Sequence, residues 1–181
     1  MNQSVYLITG PSGSGKTALS TYLSGEGYTC IEADSTQGLC YFINRSGKPV
    51  PYPQGADAAW WSSHSYVWEI DRLRKLIATL QPAAGPILLF GNAGNIDKAW
   101  ELFEAVFYLD IPEDIIVARS KSSEADHSFG QRVEEPEQLI RWAEPFKEKM
   151  AELGAVTIDA TKPLKDVATS ILKGIKATPA K

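Results

Sequence analysis

The sequence predicts an α/β fold of three layers, a parallel sheet of about five strands with helices on both faces. Three observations carry that expectation. Short apolar runs alternate along the chain with segments of helical spacing, which is the pattern of repeated strand–helix units. Prolines and glycines fall at the joints between them. The 181 residues are enough to bury one sizeable core.

The elements follow in order. Val5 to Ile8 is apolar throughout, as a strand covered on both faces must be, and Leu19, Tyr22 and Leu23 then recur at helical spacing. A second strand is expected over Thr29 to Ala33. Arg45 to Gly55, rich in proline and glycine, reads as a loop leading into a long helix over Ala58 to Leu80. The remaining strands are Ile87 to Phe90, Val106 to Leu109 and Val156 to Ile158. Helices are expected over Ile96 to Phe103, Glu113 to Ser120, Glu135 to Leu153 and Leu164 to Ile175. Pro112 and Pro136 stand where first-turn prolines are tolerated, and Gly25, Gly154 and Gly174 fall near helix ends. Pro145 lies inside a helical segment and should kink or divide it.

Charged residues make up 22% of the chain and the net charge is -4, with the two signs mixed. That argues against a disordered tail and against a nucleic-acid surface, which needs clustered Lys and Arg. No run is long enough to span a bilayer, and the first residues carry no signal-peptide pattern, so no membrane partner and a cytoplasmic location are expected. Cys30 and Cys40 lack zinc-site spacing and read as reduced, buried thiols.

Gly10-Pro11-Ser12-Gly13-Ser14-Gly15-Lys16-Thr17 follows the first strand and opens a helix. Gly10, Gly15, Lys16 and Thr17 satisfy G-x-x-x-x-G-K-[ST] in the context that this phosphate loop requires. Its backbone N–H groups, continuing through Ala18 at the helix start, wrap a phosphate, and the positive end of the helix dipole adds to the attraction. Lys16 would bridge the outer phosphates and Thr17 would ligate Mg²⁺ through its hydroxyl. ATP and Mg²⁺ are therefore the expected ligands. A guanine-reading N-K-x-D is missing, since Gly94-Asn95-Ile96-Asp97 lacks the lysine, and so are a D-x-x-G switch and L-S-G-G-Q.

With these features the chain resembles the phosphate-loop nucleoside and nucleotide kinase-like group, which includes adenylate, shikimate and gluconate kinases. The resemblance covers most of the chain in order of elements and implies the P-loop NTPase form of the three-layer fold, as one domain over residues 1–181. It implies further roles. Ile31-Glu32-Ala33-Asp34 ends the second strand where several of these kinases place an acid facing the acceptor hydroxyl or a metal-bound water. Arg119 in "IPEDIIVARS" precedes a polar segment, Ser120 to Arg132, that resembles their lid. Thr161, Lys162 and Pro163, in "IDATKPLKDV", resemble the loop passing the adenine edge. The chain departs from many phosphate-loop proteins in one respect: its third predicted strand runs into Gly91-Asn92-Ala93-Gly94-Asn95 with no acid of Walker B type, though it resembles shikimate and gluconate kinases in having glycines there. The metal then depends on Thr17, waters and the Glu32/Asp34 pair.

Individual residues keep two readings. Asp34 is a general base, a metal-shell ligand, or the N-cap of a helix after the strand. Glu32 shares its face or is a polar edge residue. Arg119 and Arg132 clamp nucleotide phosphates or stack on the base, or are solvated. His64 and His127 lack ligand spacing. Trp60, Trp61, Tyr66 and Trp68 are packing residues, in the region where small kinases place the acceptor; a cyclic or aromatic acceptor is one suggestion from them.

The expected function is transfer of the γ-phosphoryl of ATP to a small hydroxyl- or phosphate-bearing acceptor, by a monomer or homodimer, with Lys16, Asp34 and Arg119 as its catalytic side chains. The alternative is a nucleotide-binding regulatory or assembly ATPase without an acceptor.

Overall fold

In the computed structural model, residues 4–53, 56–80, 85–122 and 136–179 are described. The first strand, β1 (Val5–Thr9), is buried along its whole length. It lies at the centre of a five-stranded sheet with β2 (Thr29–Glu32), β6 (Ile87–Phe90), β7 (Ala105–Asp110) and β8 (Val156–Asp159), in the order β2-β6-β1-β7-β8. All four pairings are parallel. The five strands expected from the sequence are these five.

Alternation along β1 divides the core in two. Tyr6 and Ile8 face a cluster with Leu19 and Leu23 of α1 (Lys16–Gly25) and Val167 and Ile171 of α6 (Leu164–Ala177). Val5 and Leu7 face the opposite cluster, with Leu73 of α3 (Ile70–Thr79), Ile96 and Ala99 of a 3-10 helix (Ile96–Leu102), and Met150 of α5 (Pro136–Glu152). The helices therefore cover both faces, and the three-layer arrangement stands. Between β7 and α5 lies α4 (Glu113–Ser122). The segment from Ile96 is a 3-10 helix rather than an α-helix, and Pro145 lies within α5 without dividing it.

The main correction concerns residues 40–68. The long helix expected over Ala58 to Leu80 is instead three elements: α2 (Ala58–Ser63), β5 (His64–Trp68) and α3. The Arg45 to Gly55 stretch is likewise not one loop, because β3 (Cys40–Asn44) and β4 (Pro49–Val50) form a hairpin across it. With β5 they make a second, antiparallel sheet in the order β4-β3-β5. The hairpin turn is held by Asn44, whose Oδ1 accepts from Ser46 N, Ser46 Oγ and Lys48 N, as an Asx turn does.

That small sheet is fastened to the main one. Asn95 Oδ1 accepts from Trp68 N and its Nδ2 donates to Trp68 O, both at 2.9 Å, while Gly94 N donates to Tyr66 O at 2.7 Å. Lys149 of α5 donates to Gly94 O and to Asp97 Oδ1. The Gly91–Asn95 segment that lacked an acid thus docks one sheet onto the other.

Candidate functional site

The phosphate-loop residues sit at the carboxyl end of β1, the central strand, where a parallel α/β sheet opens its ligand crevice. Gly10 leaves the strand under tight constraint. A Cβ there would come within 2.8 Å of Leu109 O and 2.9 Å of Ser14 Oγ. Gly13 and Gly15 turn the loop with φ of 76° and 92°, values that L side chains rarely adopt. Leu19 N donates to Gly15 O, so α1 starts at Lys16, and its first-turn N–H groups have no acceptor within the helix.

Lys16 Nζ donates to Gly10 O at 2.8 Å and Pro11 O at 2.9 Å, and reaches Ser14 Oγ at 3.5 Å. Burial lowers its pKa to about 8, against the pull of Asp34, which raises it. The ammonium is thus held inside the loop by carbonyl oxygens, poorly hydrated. Such a cation gains more from an incoming phosphate than a solvated one does, because less water must be stripped from it.

Beside the loop, a small cleft is lined by Lys16, Thr17, Glu32, Asp34, Phe90 and Gly91. The structure therefore brings together Lys16, Thr17, Glu32 and Asp34, which the sequence separates by up to 18 positions. No helix follows β2, so Asp34 caps none. It lies in a turn, where Thr36 N donates to Ala33 O, and its Oδ1 accepts the Tyr66 hydroxyl proton at 2.9 Å. The residue as a whole is exposed, yet the protein packed round its carboxyl raises its pKa, while Lys16, Tyr66 and Cys40 pull it back down.

Cys40 Sγ donates to Ala33 O at 3.2 Å, and burial pushes the thiol up to about 12, so it is an unreactive neutral group at ordinary pH. Tyr66 is raised too, first by burial and then by Asp34, so it stays a donor. Tyr66 as a partner of Asp34 was not visible in the sequence.

From the other side, Arg119 on α4 donates from Nη1 to Gly13 O at 2.9 Å, placing a guanidinium over the loop. Thr161, Lys162 and Pro163 follow β8 at the same edge of the sheet. There Thr161 donates through N and Oγ1 to Asp159 Oδ1, and Lys162 pairs with Asp159 at 3.6 Å. Arg132, His127 and most of the expected lid segment lie outside the described residues. His64 opens β5, stacked on Trp60 with ring centroids 4.2 Å apart.

Among the described residues, no group of three or more His, Cys, Asp or Glu is placed to hold a metal. Thr17, Glu32 and Asp34 nevertheless supply hard oxygen donors in one cleft. Mg²⁺ suits such a set, since it takes one or two carboxylates together with substrate phosphates.

No family model matches the chain, and no curated protein matches it either. Solved structures do. A shikimate kinase from Acinetobacter baumannii in complex with shikimate is 20% identical, with a TM-score of 0.61 over 99% of this chain and 96% of that one. A gluconokinase from Sinorhizobium meliloti 1021 is 17% identical, with a TM-score of 0.55 over 97% and 93%. A deoxyadenosine kinase from M. mycoides with bound dATP is 13% identical, with a TM-score of 0.52 over 95% and 99%. Likeness at this level of identity speaks for the fold, and the fold of this chain is that of the phosphate-loop nucleoside and nucleotide kinase-like proteins.

Proposed function

We propose that this protein is an ATP-dependent kinase that transfers the γ-phosphoryl group to a small hydroxyl- or phosphate-bearing acceptor. One observation carries the reading: Asp34 shares a cleft with Lys16 and Thr17 of the phosphate loop. A loop alone serves any nucleotide-binding protein, whereas a carboxylate beside the phosphate end gives an acceptor hydroxyl a place to be oriented and deprotonated.

The geometry supports a division of labour. The loop N–H groups and Lys16 bind the phosphates, and Arg119, already on Gly13 O, adds positive charge where it develops in transfer. Thr17 and Asp34, with Glu32 beside them, would hold Mg²⁺, which when bound neutralises phosphate charge. Thr161, Lys162, Pro163 and Arg132 are the proposed base-side and lid contacts. Protein groups do little covalent chemistry in such a transfer, so catalysis here is positioning and charge stabilisation.

The second reading, a regulatory or assembly ATPase, is favoured by the end of β6, where Gly91 stands in the cleft in place of an acid. Two measurements separate them. Mg·ATP should raise the thermal midpoint of the parent by mass action, and Lys16→Ala should remove most of that shift. A screen of nucleosides, sugars and small acids should then give acceptor-dependent ADP formation. Nucleotide binding without acceptor-stimulated turnover across the screen would favour the ATPase.

A further inference from the structure

Resting on the kinase reading, we infer that the acceptor is an uncharged ring compound bearing a free hydroxyl, seated against the aromatic face of the small sheet and handed to Asp34 by Tyr66. Cross-strand register puts Phe42 opposite Tyr66 and Cys40 opposite Trp68, so these four side chains share one face. On that face Phe42 meets Tyr52, Trp60, Trp61 and Tyr66 with ring centroids 5.3, 4.9, 5.6 and 5.2 Å away. Trp142 of α5 joins through Trp61 at 5.0 Å.

The cluster is more than internal packing. Phe42 and Trp61 are buried, but Trp60 is half-buried and Trp142 is 39% exposed, so the wall keeps accessible ring surface. Two contacts join this wall to the cleft. Tyr66 donates to Asp34, and Trp68 Cζ2 lies 3.2 Å from where a Cβ on Gly91 would stand. A mostly aromatic wall with one convergent polar group is the usual make-up of a small-molecule site.

Charge selects the class. Asp34 and Glu32 line the cleft, so the acceptor side carries carboxylates. Lys16 and Arg119 are bonded to the phosphate loop. An acidic acceptor would face those carboxylates and draw its counter-charge from Arg72, which lies against Gly38. A ring alcohol meets no such conflict: its apolar face covers the aromatic rings and its hydroxyl reaches Asp34.

The test uses four probes, adenosine and myo-inositol as uncharged ring alcohols and shikimate and gluconate as ring and open-chain acids. Binding is read by calorimetry and turnover by ADP release, for the parent, Trp60→Leu and Tyr66→Phe. At least one uncharged probe should bind the parent more tightly than either acid. Trp60→Leu should weaken that binding by roughly tenfold, the worth of an aromatic contact, with ATP affinity unchanged. Tyr66→Phe keeps the ring, so binding should hold while turnover falls by about tenfold, the worth of one hydrogen bond to a charged group. Tighter binding of an acid, or uncharged-probe binding indifferent to Trp60→Leu, overturns the inference. Trp60-dependent binding of an uncharged probe with no ADP formed leaves the aromatic wall as a ligand site but overturns the kinase reading, and with it the acceptor role.

Discussion

Arg119 reaches across 106 positions of sequence to donate from Nη1 to the carbonyl oxygen of Gly13, 2.9 Å away. The contact ties α4 to the phosphate loop, and it puts a planar cation where nucleotide phosphates would lie. Arg119→Ala should therefore leave the fold intact and lower acceptor-dependent turnover by roughly tenfold to a hundredfold, as expected for hydrogen bonds to charged groups. Arg119→Lys should not restore it, because a point charge lacks the fork of donors. Steady-state kinetics of the three proteins, with circular dichroism to check folding, decide the matter; full activity in Arg119→Ala would remove the residue from the site.

The loop that replaces a Walker B acid is pinned by Lys149, which donates to Gly94 O and to Asp97 Oδ1. That bond is the first cause holding the Asp97 carboxyl below its usual pKa of 3.8. A carboxylate with a depressed folded-state pKa contributes stability above its unfolded value, and loses it as pH falls through the folded value. Asp97→Asn should then be less stable than the parent at neutral pH, by about 0.2–1 kcal/mol for a pair this exposed. The gap in thermal midpoint should persist down to about pH 4 and close in more acid solution. A gap that stays constant to the lowest pH would mean that charge plays no part.

The main sheet was legible because its strands are buried on both sides and so read as continuous apolar runs, while the helices between them keep a one-sided spacing. Its phosphate loop was legible because backbone geometry demands those glycines in that order. The small sheet was not. In "AAWWSSHSYVW" the aromatic residues recur at a spacing that suits a helix, and α2 is one, but Tyr66, Val67 and Trp68 favour a pleated surface, where β propensity reflects cross-strand packing. The missed signals were the alternation of Cys40, Phe42 and Asn44 and the Asn44–Gly47 turn. Asp34 could be chosen for its position after a strand, but its bond to Tyr66 spans 32 residues and depends on a sheet that the helix expectation erased.

Gly91 explains why the cleft has no acid at the end of β6. A Cβ there would lie 2.7 Å from Ala33 Cβ and 3.2 Å from Trp68 Cζ2, and both neighbours are buried, at 0% and 1% exposure. Gly91→Ala should cost about 1–3 kcal/mol, the range for overpacking a filled interior, and Gly91→Asp should cost more because a charge is added to the same confined space. Urea unfolding measures both. An Asp at this position that left stability unchanged would show that the backbone has room to yield, and would make the missing acid a matter of function alone.

Asp34 separates the kinase from the ATPase. It caps no helix, so Asp34→Asn has no cap to disturb, and the amide oxygen can still accept the Tyr66 proton that Asp34 Oδ1 now takes at 2.9 Å. What the change removes is charge and basicity. If the carboxylate orients and deprotonates the acceptor hydroxyl, fold and ATP affinity should survive while acceptor-dependent ADP release falls by about a hundredfold to ten-thousandfold, or roughly 3–5 kcal/mol of transition-state stabilisation. Because Asp34 also stands among the proposed metal donors, the rate should be measured across a range of Mg²⁺ concentrations. A loss that high Mg²⁺ restores identifies a metal-shell role; a loss that persists at saturating Mg²⁺ and ATP identifies the base. A variant as fast as the parent with a confirmed acceptor would leave Asp34 with no part in the chemistry.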